Sequence, residues 1–415
     1  VAVFTGPRHP ARPTEEKEEQ VHTARLLKMM AVGGAAALVL AACGGGSDSG
    51  SGDSGGVPDV PTYQGPVGDG EGALNILAWP GYAENGSTDP SANWVGPFEE
   101  ATGCKVNVKT FGTSDEAVKL MQGGGWDVVS ASGDASLRLI YGGNVQPVNM
   151  DLVPNYADIF PDLKMKSHNS VNGVAYGVPH GRGANLLVWN KEKVGETVDS
   201  WSVMFEPDSP AAGGVGPYDS PIYIADAAVY LMATQPELGI KDPYALDQTQ
   251  FDAAINLLKQ QEPLVSEYWS DYLKQIDAVN AGTMTAATSW QVIVNGFDAA
   301  TIGSVKAKEG ATGWSDTWMV AKDTPNLNCA YKWLDWIASP EINQQATAWF
   351  GEAPSNVKAC DIDPEQCTTY HANEPAYWEN VYYWNTPTEV CLDGRTDVKC
   401  VPYSEWSKAW SELRS

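Results

Sequence analysis

The sequence lacks a continuous apolar run of the roughly 20 residues that a membrane-spanning helix requires. It is also poor in positive charge, with 26 Lys and Arg against 52 Asp and Glu, a formal net charge of -26. That balance excludes nucleic acid and anionic membrane as partners for the folded surface and permits cationic ligands, although an acidic surface can equally serve solubility alone. Histidine is scarce, and those beyond residue 72 (His168, His180, His371) are scattered. Neither close cysteine pair has C-x-x-C spacing, so no metal site is expected. No phosphate-cradling G-x-x-x-x-G-K-S/T string is present, and the folded part has no G-x-S-x-G or G-x-C-x-G elbow to carry a nucleophile. No cofactor is implied. Gly52-Asp53-Ser54-Gly55-Gly56 spells a serine-protease-like string, but it lies in a Gly/Ser/Asp tract with no scaffold to hold a serine against a base. Phenylalanine is sparse too: 8 Phe stand against 16 Trp and 17 Tyr, a bias toward rings with a polar edge, which suit wet clefts and contacts with cations.

Basic, apolar and small residues follow one another between Arg25 and Cys43: Arg25 and Lys28, then Met29 to Leu40, then Ala41 and Ala42. That order describes an export signal over residues 1–42. Leu40-Ala41-Ala42-Cys43 resembles the bacterial lipobox, which implies cleavage before Cys43 and its lipidation. The hydrophilic residues 1–20 stand ahead of the point where a signal ordinarily starts, as a start codon set too far upstream would leave them. Residues 43–72 are dominated by Gly, Ser, Asp and Pro and read as a flexible tether.

Six cysteines remain besides Cys43: Cys104, Cys329, Cys360, Cys367, Cys391 and Cys400. An even number in an exported protein favours disulfides. Short separations favour Cys360 with Cys367 and Cys391 with Cys400, which leaves Cys104 with Cys329.

Strand and helix patterns alternate beyond the tether. Leu74 to Trp79 and Lys105 to Phe111 read as strands around a helix from Asn93 to Ala101. A helix from Ser114 to Met121, a strand from Trp126 to Ser130 and a helix from Ala135 to Tyr141 follow, so a largely parallel sheet is expected. His180-Gly181-Arg182-Gly183 and Glu309 to Gly313 are Gly-rich places for the chain to cross into a second lobe and back. The expected layout is lobe one from 73–181 plus 311–354, lobe two from 182–310, and a disulfide-stapled wrap over 355–415. Two α/β lobes joined by two crossings make a hinge that suits closure around a ligand.

Ligands in open α/β sheets sit at the carboxyl ends of strands. Trp79 to Tyr82 leave the first strand, Trp290 follows a Thr/Ala-rich strand, and Trp314-Ser315-Asp316 follows the second crossing. The order Trp79-x-x-Tyr82, Trp126-Asp127-Val128-Val129 with Ser132, Asp219 before a helix, Trp290, and Trp314-x-Asp316 resembles the spermidine/putrescine-binding components of ABC importers. The resemblance runs from Leu74 to about Asn385. LAWPGY, SASGDASLRLI, DSPIYIADAA, GATGWSDT and CAYKW resemble a polyamine-binding lipoprotein branch of that family.

The resemblance implies a two-lobed, type II periplasmic-binding-protein fold that acts as a monomer. It implies permease and ATPase partners on separate chains, membrane contact through the lipid anchor alone, and no catalysis. It assigns Trp79, Tyr82, Trp290 and Trp314 to an aromatic box around an amine, and Asp219 and Asp316 to its ammonium ends. Ser132 would border the pocket and Asn385 would contact the ligand. Departures from the family stand at Asp134 and Glu352, each where relatives carry tyrosine, and at Ile222, where they carry glutamate; Asp134 and Glu352 join the candidate site. Arg182, where relatives often carry Trp, raises the alternative of a zwitterionic amine such as gamma-aminobutyrate or betaine. An extracellular hydrolase or polyester-forming acyltransferase is the reading from another class.

Overall fold

The structure, a computed structural model, describes residues 57–415. The export signal, Cys43, the first part of the tether and the Gly52–Gly56 string lie outside the described residues. Residues 57–72 form no helix or strand but are bound to the body rather than free of it. Gly68 donates its N–H to Asn328 Oδ1 at 2.7 Å, and the Glu71 carboxylate accepts the backbone N–H groups of Asn328 and Cys329 at 2.8 and 2.9 Å. Those donors belong to the first turn of a helix, whose N–H groups have no partner within the helix, so a carboxylate there is stabilising.

Strand β1 (Ala73–Ala78) leads through α1 (Val95–Thr102) to β2 (Lys105–Thr110), which pairs with it in parallel over six residues. Gly103 closes α1 in the left-handed conformation, φ 72°, where glycine avoids a side-chain clash. Thr113 caps α2 (Ser114–Gln122) by accepting the N–H of Glu116. β3 (Val128–Ala131) then pairs in parallel on the other side of β1, and α3 (Gly133–Tyr141) follows.

The first crossing is itself a strand, β4 (Gly181–Ala184). Beyond it, β5 (Leu186–Asn190), helix α4 (Gln248–Gln261), β6 (Ala286–Ser289) and β7 (Ile302–Val305) build the second lobe. Its sheet runs in the order Val215–Gly216, β6, β5, β7. The return crossing, β8 (Ala311–Trp314), pairs antiparallel with β4, and β9 (Thr317–Ala321) enters the first sheet antiparallel to β3. The first sheet therefore runs β2-β1-β3-β9 and then Val145–Gln146, parallel on one side and antiparallel where the returning chain is inserted. α5 (Leu327–Ile337) and α6 (Pro340–Phe350) cover this lobe. β10 (Val381–Tyr383) adds to β8 in parallel, and α7 (Tyr403–Leu413) ends the chain.

The first core fills with Leu74, Ile76, Leu77, Val128, Val129, Trp318 and Trp333, all essentially inaccessible to solvent. The three disulfides are Cys104–Cys329, Cys360–Cys367 and Cys391–Cys400, as expected. Cys104–Cys329 ties the start of β2 to α5 across a separation of 225 residues, and the chain-entropy account of so long a loop gives about 5 kcal/mol. Replacing both cysteines by alanine is therefore expected to lower the unfolding free energy by about 2–5 kcal/mol. Urea denaturation checks this, and an unchanged midpoint would contradict it. No helix among the described residues is long and apolar enough to cross a membrane.

Candidate functional site

The edges of both sheets that carry the carboxyl ends of their parallel strands converge. Trp79 follows β1, Ser132 follows β3, Trp290 follows β6 and Trp384 follows β10. Asp316 precedes β9, which runs the opposite way, so its amino end reaches the same edge. Trp314 closes β8. These six, with Tyr82 and Phe350, line a narrow cavity between the rings.

Trp290 is the hub of the aromatic wall. Its ring lies 6.0 Å from Trp79 and 6.4 Å from both Trp314 and Trp384, edge to face in each case. Tyr218 and Trp269 stand behind it at 5.4 and 5.0 Å. Trp314 can lie against β4 because residue 183 is glycine; a Cβ there would sit 2.1 Å from the indole ring. Ring faces carry negative potential, so such a wall attracts cations.

The polar side of the cavity is acidic. Tyr82 donates its hydroxyl to Asp316 Oδ2 at 2.9 Å, and the same hydroxyl stands 3.4 Å from Glu352 Oε2. Trp314 Nε1 donates to Glu352 Oε2 at 2.7 Å, and Trp79 Nε1 donates to Ser132 Oγ at 3.0 Å. One hydroxyl proton cannot serve both carboxyl groups, and Asp316 Oδ1 and Glu352 Oε1 are buried with no hydrogen-bond partner. Burial pushes the Asp316 carboxyl up to about 7, with the neighbouring Asp134 adding to the rise and the Ser132 and Tyr82 hydroxyls opposing it. Burial also raises Glu352 well above the usual carboxylate range.

The nearest basic group cannot neutralise them. Trp318 Nε1 donates to His180 Nδ1 at 3.1 Å, which leaves the ring hydrogen on Nε2, 3.6 Å from Glu352 Oε1. Burial lowers His180 to about 3, so it stays neutral. No Lys or Arg among the described residues pairs with Asp316 or Glu352.

The structure thus brings together six of the ten residues expected from the sequence: Trp79, Tyr82, Ser132, Trp290, Trp314 and Asp316. Glu352 stands immediately behind Tyr82 and Trp314. Asp134 is buried beyond Ser132, accepting from Ser114 Oγ at 2.7 Å while its other oxygen has no partner; burial raises it to about 6. Asn385 donates its amide to Ser167 Oγ at 2.7 Å, and the cavity takes its neighbour Trp384 instead.

Asp219 is a clear correction. Trp410 Nε1 and Arg414 Nε both donate to it at 3.1 Å, so the last helix has claimed its charge and it does not line the cavity. Arg182 is likewise engaged elsewhere: it pairs with Asp162, donates to the Ala372 carbonyl at 2.8 Å and stacks on Trp378 at 4.3 Å. Ile222 is buried in a 3-10 turn. Phe350 and Trp384 were missed. Trp384 had a signal, since it is an aromatic at the end of a strand pattern, whereas Phe350 ends an ordinary amphipathic helix.

With this geometry in place, a profile of bacterial extracellular solute-binding proteins matches residues 93–374. The chain belongs to that family. A putrescine/agmatine-binding protein of Pseudomonas aeruginosa is 25% identical over 285 residues, covering 64% of this chain and 75% of its own length. Among solved structures, the spermidine/putrescine ABC transporter substrate-binding protein PotD of Streptococcus pneumoniae superposes with a TM-score of 0.63 at 16% identity. The match covers 82% of this chain and 97% of that one. The binding protein MotA of Agrobacterium tumefaciens, in complex with glucopine, superposes with a TM-score of 0.64 at 18% identity, over 83% and 100% of the two chains. The family membership and these likenesses make the fold a two-lobed, type II solute-binding fold.

Proposed function

We propose that this chain is the substrate-binding component of an ABC importer and that its ligand is a short polyamine of the putrescine class. One observation carries the reading: the buried Asp316 carboxyl, with an unpartnered oxygen, lines an aromatic cavity with the equally buried Glu352 carboxyl behind it, and no Lys or Arg among the described residues pairs with either. A charged ammonium group supplies what is missing, accepting the cation–π attraction of Trp290 and Trp314 and donating charge-assisted hydrogen bonds to Asp316. The Pseudomonas relative, a putrescine/agmatine-binding protein, and the Streptococcus one, a spermidine/putrescine ABC transporter substrate-binding protein, agree with this chemistry.

A zwitterionic ligand finds less support, because Arg182 is committed to Asp162 and leaves no cation in the cavity for a carboxylate. Catalysis finds none: the Ser132 hydroxyl accepts from Trp79, and His180 has its Nδ1 occupied by Trp318. Calorimetric titration with putrescine, spermidine, gamma-aminobutyrate and betaine tests the proposal. Saturable putrescine binding with no heat from betaine is expected, and tight gamma-aminobutyrate binding without putrescine binding would reverse it.

Two further outcomes follow from the same reading. Asp219→Asn should leave putrescine affinity within about threefold of wild type, since an exposed ion pair to Arg414 contributes little; a tenfold loss in calorimetry would return Asp219 to the site. Cys43→Ser should release the protein from the membrane fraction with unchanged affinity, because the lipid serves as an anchor.

A further inference from the structure

The chain after residue 388 belongs to the second lobe. Arg395 donates to Asp247 at 2.9 Å, and the Val401 N–H donates to the Leu246 carbonyl at 2.8 Å. On α7, Trp406 packs on Phe251 with ring centroids 5.8 Å apart, Trp410 donates to Asp219, and the Arg414 guanidinium lies 3.6 Å over the ring of Tyr268. The first residue of the helix does something different. Tyr403 donates its hydroxyl to Asp115 Oδ1 at 3.0 Å, and the Arg138 guanidinium covers its ring at 4.3 Å. Asp115 and Arg138 belong to α2 and α3 of the first lobe and are paired with each other.

The place of this contact in the two sheets matters. Asp115 follows β2, the edge strand of the first sheet, and three strands separate it from the crossing if β9 is counted. Asp219, where α7 is pinned at its far end, follows Val215–Gly216, the edge strand of the second sheet. Both edges lie opposite the strands that run into the crossings β4 and β8. Rotation about the crossings displaces the far edges most, so a bond there breaks when the lobes part. Beside it, the Tyr218 hydroxyl reaches 3.5 Å from the Gly112 carbonyl across the same seam.

We propose that α7 is a strap fastened to the second lobe and that Tyr403, clasped by Asp115 and Arg138, is its latch on the first, a positioning residue that sets ligand affinity without touching ligand. The latch is made when the lobes are together and lost when they open. It therefore enriches the closed population, and the apparent affinity of any cleft ligand scales with the competent fraction. The Cys391–Cys400 disulfide and the Arg395 contacts make the strap stiff enough to transmit that constraint. The strap rests on the closing mechanism of the fold and is independent of which solute the cleft takes.

The test compares wild type, Tyr403→Phe, Asp115→Asn, their double variant and Glu405→Gln, whose carboxylate lies on the exposed side of the same helix 4.0 Å from Lys408. Small-angle scattering of the ligand-free proteins should show a larger radius of gyration for Tyr403→Phe and Asp115→Asn, no further increase in the double variant, and no change for Glu405→Gln. Stopped-flow tryptophan fluorescence with putrescine should show release about tenfold faster in Tyr403→Phe, with the ratio of putrescine to spermidine affinity unchanged. A ligand-free scattering profile of Tyr403→Phe identical to wild type overturns the latch, whatever the affinity. An expanded profile in a protein that binds no amine leaves the latch standing and removes the polyamine reading instead.

Discussion

Asp316→Asn is expected to bind putrescine at least about thirtyfold more weakly than wild type, the equivalent of about 2 kcal/mol for a charge-assisted hydrogen bond. The substitution keeps the shape of the side chain and the acceptor for Tyr82 while removing the charge. The affected group is buried, and its partner in the complex is a desolvated ammonium, so solvent cannot compensate. The loss should be greater for the dication putrescine than for a monoamine of the same length. Trp314→Ala should weaken both by similar factors, since it removes ring contact without removing charge, although it also frees Glu352 Oε2 from the indole N–H. Stability should move in the opposite direction from affinity: Asn at 316 no longer buries an ionisable group, so the ligand-free protein should unfold no earlier than wild type. Calorimetry and thermal unfolding on the same preparations separate the two effects. Equal binding of every amine by Asp316→Asn, with the preference for dications retained, would remove the central support for amine recognition.

That the sequence could bring these residues together has a physical origin. Trp79, Ser132 and Trp290 sit one residue beyond strands whose Val/Ile/Leu or Ala/Thr patterns are local, and the rule that ligands meet strand ends then places them. β4 and β8 were legible as glycine-rich segments because they lie close enough that Gly183 must make room for Trp314. Asp219 failed for the complementary reason. Its partners Trp410 and Arg414 are 191 and 195 positions away, and nothing near Asp219 announces them. Arg182 misled in the same way, since Asp162 and the Ala372 carbonyl, which neutralise and hold it, come from separate segments. The antiparallel placement of β9 depends on a chain that leaves the sheet and returns, which alternation of strand and helix cannot reveal. Charge capture and strand insertion are long-range events, whereas strand ends, caps and close disulfides are local.

Putrescine affinity is expected to rise steeply between pH 5 and pH 7.5, by about fiftyfold or more, and to level off above that. The cause is competition between the ligand and protons for the same buried carboxyls. Without ligand, Asp316 holds its proton up to about pH 7 because burial disfavours the charged form, and Asp134 does so up to about 6. Burial also raises Glu352, behind Tyr82, well above the usual carboxylate range, and neutral His180 offers no countercharge. A bound ammonium restores the charged state of Asp316, so each decade of acidity below its ligand-free value costs close to tenfold in affinity for one displaced proton. The sign for folding is the reverse. Asp316 titrates near 3.8 when exposed and about 7 when folded, so the folded state binds the extra proton across that window. The stability of the ligand-free protein is therefore fully present below about pH 4 on this account and declines as pH rises to 7. Saturating putrescine should flatten that decline. Titrations in buffers of different ionisation enthalpy should detect proton release on binding near pH 6 in wild type and much less in Asp316→Asn. Affinity independent of pH across this window, with no buffer-dependent heat, would mean that Asp316 is already ionised in the empty cleft and that the ligand meets a fixed negative charge rather than a proton it must displace.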